Sequence, residues 1–317
     1  MTISLQDLAG SHLVDATLSP DDFAAGCAWV DGRFVPVGQA GVPLLDRGFL
    51  RSDVTYDAMH VWEGSIFRLD DHLARFQRNI DRLRMRAPVS MDEVRDIVFR
   101  MVRMTGLRAA FVSVICTRGV PPQGVRDPRQ SVPRFYAYAV PFIWMKPFDQ
   151  HAEGLSLHVS AIPRIAVASV DPTTKNFHWG DLTAGLFEAY DNGCDTNVLT
   201  DGAGNITEGP GFNVFVVRDG RLATPDSGVF DGMTRRTVLE LAGELGIEAD
   251  MRKVSIPELY DADEVFLTTT VGGVVPITRL GRNRVLGNGS AGPVTWQLRE
   301  AYWSRKRDGW LSEAIFA

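Results

Sequence analysis

Two acidic-glycine turns, Asp31-Gly32 and Glu63-Gly64, each interrupt runs of apolar and aromatic residues, so the first part of the chain must fold as antiparallel hairpins. The first hairpin spans residues 28–35, and the second joins a strand over 56–62 to Ile66-Phe67-Arg68. Leu69-Asp70-Asp71-His72 then opens a helix, with Asp70 as its cap and Leu73, Phe76, Ile80 and Leu83 at helical spacing. Ser90 and Glu93 have the spacing of a capping box for a second helix. The β-branched run over 111–117 reads as a buried strand ending at Arg118-Gly119, and the charged, proline- and glycine-bearing loop over 120–129 reads as a functional rim. After a strand over 134–142 the pattern restarts beyond Leu155: a helix over 179–192, a strand over 197–200, a turn over 201–204, a strand through 213–217, a helix over 234–245 closed by Gly246, and a final strand over 264–269. This mixture predicts an α/β (α+β) protein of two domains, a smaller one over 1–145 and a larger one over 155–317, with 146–154 as linker.

A chain of 317 residues with 45% hydrophobic and 23% charged content suits a soluble globular protein with two cores. The net charge of −6, without any Lys/Arg-rich run, argues against a nucleic-acid partner. The apolar run over 135–145 is too short and aromatic to span a membrane, and the N-terminal residues lack the basic-then-apolar order of a secretory leader. Three scattered cysteines, Cys27, Cys116 and Cys194, fit reduced thiols in a cytoplasmic protein and offer no metal-ligand spacing.

Chemistry is concentrated in two stretches. Lys175 lies in Asp171-Pro172-Thr173-Thr174-Lys175-Asn176-Phe177-His178-Trp179-Gly180-Asp181, and Glu208 lies in Thr207-Glu208-Gly209-Pro210-Gly211-Phe212-Asn213. A lone lysine is usually a solvated charge, and a carboxylate in a glycine-rich turn is usually a surface group. As a pair they meet the needs of pyridoxal phosphate chemistry: a lysine to form a Schiff base and a carboxylate to hold a ring nitrogen protonated. Lys175 is also the only lysine between Lys146 and Lys253. Gly232-Met233-Thr234, ahead of a helix, can present amides and a hydroxyl to a phosphate, and Thr269-Thr270-Val271-Gly272-Gly273 offers a second such turn.

These segments resemble, residue for residue, the signature of the fold-type IV pyridoxal-phosphate enzymes, the branched-chain and D-amino-acid aminotransferase family. The likeness runs from about Gly26 to the C-terminal region and is strongest to the (R)-selective amine transaminases. The resemblance implies a homodimer that transfers an amino group between a primary amine and an α-keto acid such as pyruvate. It implies Lys175 as the Schiff-base lysine, Glu208 at the pyridine nitrogen, and Phe212 and Asn213 within the Glu-x-x-x-x-Asn element. It further implies Met233, Thr234 and Thr270 at the phosphate, with Arg75 of Leu-Asp-Asp-His-Leu-x-Arg closing that cup.

For the substrate, the D-amino-acid branch carries an Arg-x-His pair on the strand corresponding to Phe111-Val112-Ser113-Val114, which has no charge here. Tyr56, Ala58, His60, Phe111 and Trp179 are therefore expected to line an apolar pocket. Arg126 on the rim loop is the candidate clamp for the keto-acid carboxylate, with Arg129 as its neighbour. Arg51 stands where many (R)-amine transaminases have His, and an inward Arg51 favours anionic substrates. Other readings are a D-amino-acid or branched-chain aminotransferase, an aminodeoxychorismate-type lyase, or a non-catalytic protein on the same fold.

Overall fold

The computed structural model describes residues 4–316. Met1, Thr2 and Ile3, part of the segment read for a leader, lie outside the described residues, as does Ala317. The chain forms two compact units: one holds the chain up to Ile143 together with Thr174–Phe177 and the segment from Gly309, and the other holds Trp144–Thr173 and His178–Asp308. This division differs from the expected one. Lys175 packs with the first unit, and residues 146–154, expected as a linker, belong to the second. There Phe148–Glu153 is a 3-10 turn whose buried His151 meets the Lys146 carbonyl at 3.0 Å through Nε2 and the Arg299 Nε at 3.1 Å through Nδ1.

The sheet of the first unit runs, edge to edge, Leu13–Val14, Arg33–Pro36, Cys27–Val30, Val132–Pro141, Ala110–Val120, Val54–Trp62, Ser65–Phe67 and Ser312–Ala314. Both hairpins form where the acidic-glycine turns put them. Asp31 and Gly32 have φ of 49° and 79°, and Glu63 and Gly64 have 51° and 82°, the left-handed values that tight turns joining twisted strands require. The helices Leu69–Arg82 and Met91–Thr105 belong to this unit. Their buried Phe76, Ile80, Ile97 and Val98 share one apolar core with Met59, Val61, Val112 and Val114 of the sheet. Each such side chain contributes roughly 1.5–3 kcal/mol on burial. Ser90 and Glu93 make the capping box in full, but Asp70 does not cap its helix. Arg68, at φ 53°, occupies the cap position and makes no side-chain capping bond, its guanidinium donating instead to Asp71 Oδ2 at 2.8 Å, and Asp70 sits inside the first turn. There its charge favours the helix dipole instead.

Side chains alternate across strands, so the other face of this sheet is defined by register. Tyr56, Ala58 and His60 stand opposite Ile115, Ser113 and Phe111, and Tyr138 stands opposite Ser113.

The second unit has a mixed sheet in the order Ala249–Met251, Arg221–Thr224, Phe212–Arg218, Glu264–Thr269, Gly273–Leu280, Leu155–Pro163 and Thr196–Thr200, with Glu208–Gly209 paired to Phe212–Arg218. Glu264–Thr269 is therefore not the final strand. Gly273–Leu280 pairs with it directly, and the helix Pro293–Arg307 follows. Helices Gly180–Asp191 and Met233–Glu244 also belong to this unit. No helix among the described residues is long and apolar enough to cross a membrane.

Candidate active site

Lys175 belongs to a four-residue segment that the first unit holds by its backbone. Its carbonyl accepts the Thr55 hydroxyl at 2.7 Å and the Tyr56 N–H at 3.4 Å. Its Nζ lies 4.5 Å from the centre of the Tyr56 ring, and that ring leans on Phe177 with centroids 4.8 Å apart. The amine thus stands on the sheet face that carries Tyr56, Ala58, His60, Phe111, Ser113, Ile115 and Tyr138. Those seven positions hold no Arg or Lys. Ala58, His60 and Ser113 are buried, and the His60 ring stacks on Phe142 at 3.9 Å.

On the helix-covered face, Arg75 forks onto Asp57: Nε donates to Oδ2 and a terminal nitrogen to Oδ1, both at 2.8 Å. His72 Nδ1 lies 2.7 Å from Asp57 Oδ1. All three side chains are buried. Burial alone would raise the Asp57 pKa, but the charges and hydrogen bonds of Arg75 and His72 outweigh it and hold the carboxyl below the usual range. Burial pulls the His72 pKa down, with Asp57 opposing it.

The second unit holds the other constellation. Glu208 is buried; its Oε1 accepts Arg164 Nε at 3.0 Å, and its Oε2 accepts the Phe230 N–H at 2.7 Å. Arg164 also donates to Asp181 Oδ2 at 2.7 Å, which together with the Ile165 N–H lowers the Asp181 pKa against its burial. Asn213 donates its side-chain amide to the Phe230 carbonyl at 2.8 Å, so it fixes the loop that fixes Glu208. Phe212 lies in the apolar core, its ring on Gly209, where an added Cβ would come within 2.2 Å of it.

Helix Met233–Glu244 starts at Gly232 with no side-chain cap and no acidic residue in its first turn. Its leading amides keep their hydrogen-bonding capacity and the positive end of the helix dipole. A Cβ on Gly232 would come within 2.2 Å of Asn213 Oδ1, so the approach requires glycine. Thr234 and Met233 are buried in that turn, and Thr270 closes the strand Glu264–Thr269. Free first-turn amides together with threonine hydroxyls at Thr234 and Thr270 are the donor set a phosphate monoester needs, and an acceptor-only carboxylate at Glu208 suits a protonated ring nitrogen. These residues fit pyridoxal phosphate.

Arg51 and Arg126 are both exposed and line one cavity of about 960 Å3 in the first unit, with Arg47 between them donating to the Arg126 carbonyl at 3.4 Å. Arg129 does not line it and is engaged by both oxygens of Asp127. Trp179, at the start of helix Gly180–Asp191, lies 3.6 Å from where a Cβ on Gly211 would stand. Sequence reasoning passed over Asp57, His72, Arg164 and Asp181. Asp57, His72 and Asp181 lie inside segments already singled out, and a charged Arg164 after the apolar run that restarts at Leu155 is the available signal for the partner of Asp181.

A family model described as amino-transferase class IV matches residues 55–280. The putative branched-chain-amino-acid aminotransferase of Methanocaldococcus jannaschii is 30% identical over 277 residues, 86% of this chain and 94% of its own. The D-alanine aminotransferase of Staphylococcus haemolyticus is 24% identical over 277 residues, 86% of this chain and 95% of its own. Among solved structures, the branched-chain amino acid aminotransferase of Thermobaculum terrenum in its PLP-form superposes with a TM-score of 0.81 at 27% identity, covering 92% of this chain and 98% of that one.

Proposed function

The chain belongs to the class IV aminotransferases, which work with pyridoxal phosphate, and from that premise we propose that it moves an amino group from an apolar (R)-configured primary amine to an α-keto acid such as pyruvate. The observation that carries this reading is the sheet face around Lys175, where Ala58, Phe111 and Ile115 offer apolar surface and none of Tyr56, Ala58, His60, Phe111, Ser113, Ile115 and Tyr138 is an arginine or lysine for a donor's carboxylate.

Pyridoxal phosphate supplies an aldehyde that takes up the amino group and a ring that draws electrons from the substrate carbon. Lys175 Nζ would hold the aldehyde and would carry the proton at the substrate's α-carbon. The Tyr56 ring and the two bonds to the Lys175 carbonyl restrict where that amine can stand. Glu208, whose Oε1 accepts from Arg164 and whose Oε2 accepts from the Phe230 amide, would keep a pyridine nitrogen protonated when the cofactor is bound. Thr234, Thr270 and the first-turn amides after Gly232 would hold the phosphate, and Arg75 in the first unit is kept by Asp57 as a fixed positive charge available to an anion.

Arg126 takes the keto-acid carboxylate, with Arg51 in the same cavity as the alternative cation. That shared cavity also favours a second reading, an α-amino acid donor, in keeping with the relatives named as branched-chain-amino-acid and D-alanine aminotransferases. Large apolar side chains exposed at Val42, Leu44, Leu45, Phe49 and Leu50 support a homodimer, since a monomer rarely leaves such a run in water. Burial raises the thiol pKa of Cys27, and that of Cys116 to about 12, which suits inert reduced thiols of a cytoplasmic protein.

Single-turnover reaction of the enzyme with (R)- and (S)-1-phenylethylamine, D-alanine and L-leucine tests the reading. The (R)-amine should convert the cofactor fastest. Faster conversion by either amino acid would replace this donor with an α-amino acid.

A further inference from the structure

A second cavity of the first unit, of about 580 Å3, is lined by the guanidinium-bearing residues Arg47, Arg84, Arg86, Arg118 and Arg129 against the single carboxylate of Asp53. None of the residues assigned above to cofactor or substrate lines it. The chain as a whole carries a net charge of −6, so five arginines around one concavity is a local concentration against the overall balance.

Their own hydrogen bonds leave much of that charge unanswered. Arg118 is satisfied: it donates to Asp53 at 2.7 Å and to the Leu83 carbonyl at 2.7 Å. Arg47 is not, because its buried Nε has no hydrogen-bond partner and stands 3.8 Å from the same Asp53 carboxylate. Among the described residues the side chains of Arg84 and Arg86 make no hydrogen bond or ion pair, and both are exposed. Arg84 holds φ at 54° because it closes helix Leu69–Arg82, its N–H on the Asp81 carbonyl at 2.9 Å and the Met85 N–H on the Ile80 carbonyl at 3.0 Å, which fixes the backbone from which its side chain enters the cavity lining. A guanidinium presents planar forked donors matched to phosphate and carboxylate oxygens, so several converging on one concavity select a ligand with more than one negative charge.

We propose that this cavity binds a small soluble oxyanion carrying two or more negative charges, held chiefly by Arg47, Arg84 and Arg86. Its lining residues are distinct from those assigned to the cofactor phosphate, and it shares only Arg47 with the cavity of Arg51 and Arg126.

The test is calorimetric titration of the pyridoxal-phosphate-loaded enzyme, whose own phosphate cup is then filled, with pyrophosphate and with citrate. At least one should bind, with an affinity that falls as salt is raised. Preference for pyrophosphate would identify phosphate chemistry, and preference for citrate would identify carboxylates. The double variant Arg84→Ser/Arg86→Ser should weaken binding by about tenfold or more while leaving transamination intact. The control Arg33→Ser/Arg78→Ser, which removes two exposed arginines outside the cavity, should bind as the wild type does. Absence of binding by both anions, equal losses in the two double variants, or displacement of the anion by pyruvate would each overturn the assignment.

Discussion

Arg75 and Asp57 form a buried two-pronged ion pair, with Nε and one terminal nitrogen each 2.8 Å from a separate carboxylate oxygen. The pair stands on the helix-covered face of the sheet, while Tyr56 and Ala58 on either side of Asp57 face the other way. Asp57 is therefore a positioning residue: it fixes the arginine and so the direction of its charge.

Truncating Asp57 to Ala leaves the Arg75 guanidinium buried without its counter-charge. Such a loss typically costs about 3–5 kcal/mol of stability. A marked fall in Tm is expected, together with weaker pyridoxal phosphate binding, whereas Arg75→Lys, which keeps the charge but loses the fork, should cost less stability. An Asp57→Ala variant with unchanged Tm and cofactor affinity would show that the pair positions nothing.

Glu208→Gln keeps the size of the side chain but sets an amide NH2 against one of two donors, Arg164 Nε or the Phe230 N–H. The expected result is a proton-removal step slowed far more than cofactor affinity is weakened, because the charge acts on the transition state. A primary isotope effect with α-deuterated amine reads that step. Equal losses in affinity and rate would assign Glu208 to binding alone.

Arg126→Ala should raise the KM for pyruvate about ten- to a hundredfold, the worth of a charged hydrogen bond of roughly 1.5–3 kcal/mol, and leave the half-reaction with (R)-1-phenylethylamine nearly unchanged. Arg51→Ala is the matching experiment, since both side chains line one cavity. If Arg51→Ala carries the pyruvate defect and Arg126→Ala does not, the clamp is Arg51.

The local signals in the sequence were reliable where the physics is local. Both acidic-glycine hairpins and the Ser90–Glu93 capping box formed as read, because each depends on a few adjacent residues. Asp70 has the composition of a cap, but the chain turns two residues earlier, through Arg68 in the left-handed region. The strand Gly273–Leu280 escaped notice because Pro276, which lacks an N–H, argues against a strand, yet here it pairs with Phe266 beside a register shift at Ile277 and Arg279. The charge networks were out of reach for another reason: Arg75 is 18 residues from Asp57, and Arg164 is 44 from Glu208, so only folding brings them together.

Lys306 gives a pH signature. It is buried against Tyr302 and Trp303, with Nζ 5.3 and 4.9 Å from their ring centres, and burial lowers its pKa to about 7. An unfolded lysine titrates near 10.4, so between about 7 and 10 the unfolded chain holds a proton that the folded one has lost, and stability rises with pH through that window. Below it the cost of the buried charge is felt in full. Lys306→Met should therefore raise Tm most at neutral pH and below, with the gain shrinking as pH approaches 10. A gain that is constant or grows with pH would contradict the assignment.

The most direct measurement is borohydride reduction of the pyridoxal-phosphate-loaded protein, followed by digestion and mass spectrometry. The account predicts loss of the visible absorbance and a pyridoxyl group on the peptide that contains Lys175. A label on any other lysine, or retained transamination in Lys175→Ala, would contradict it.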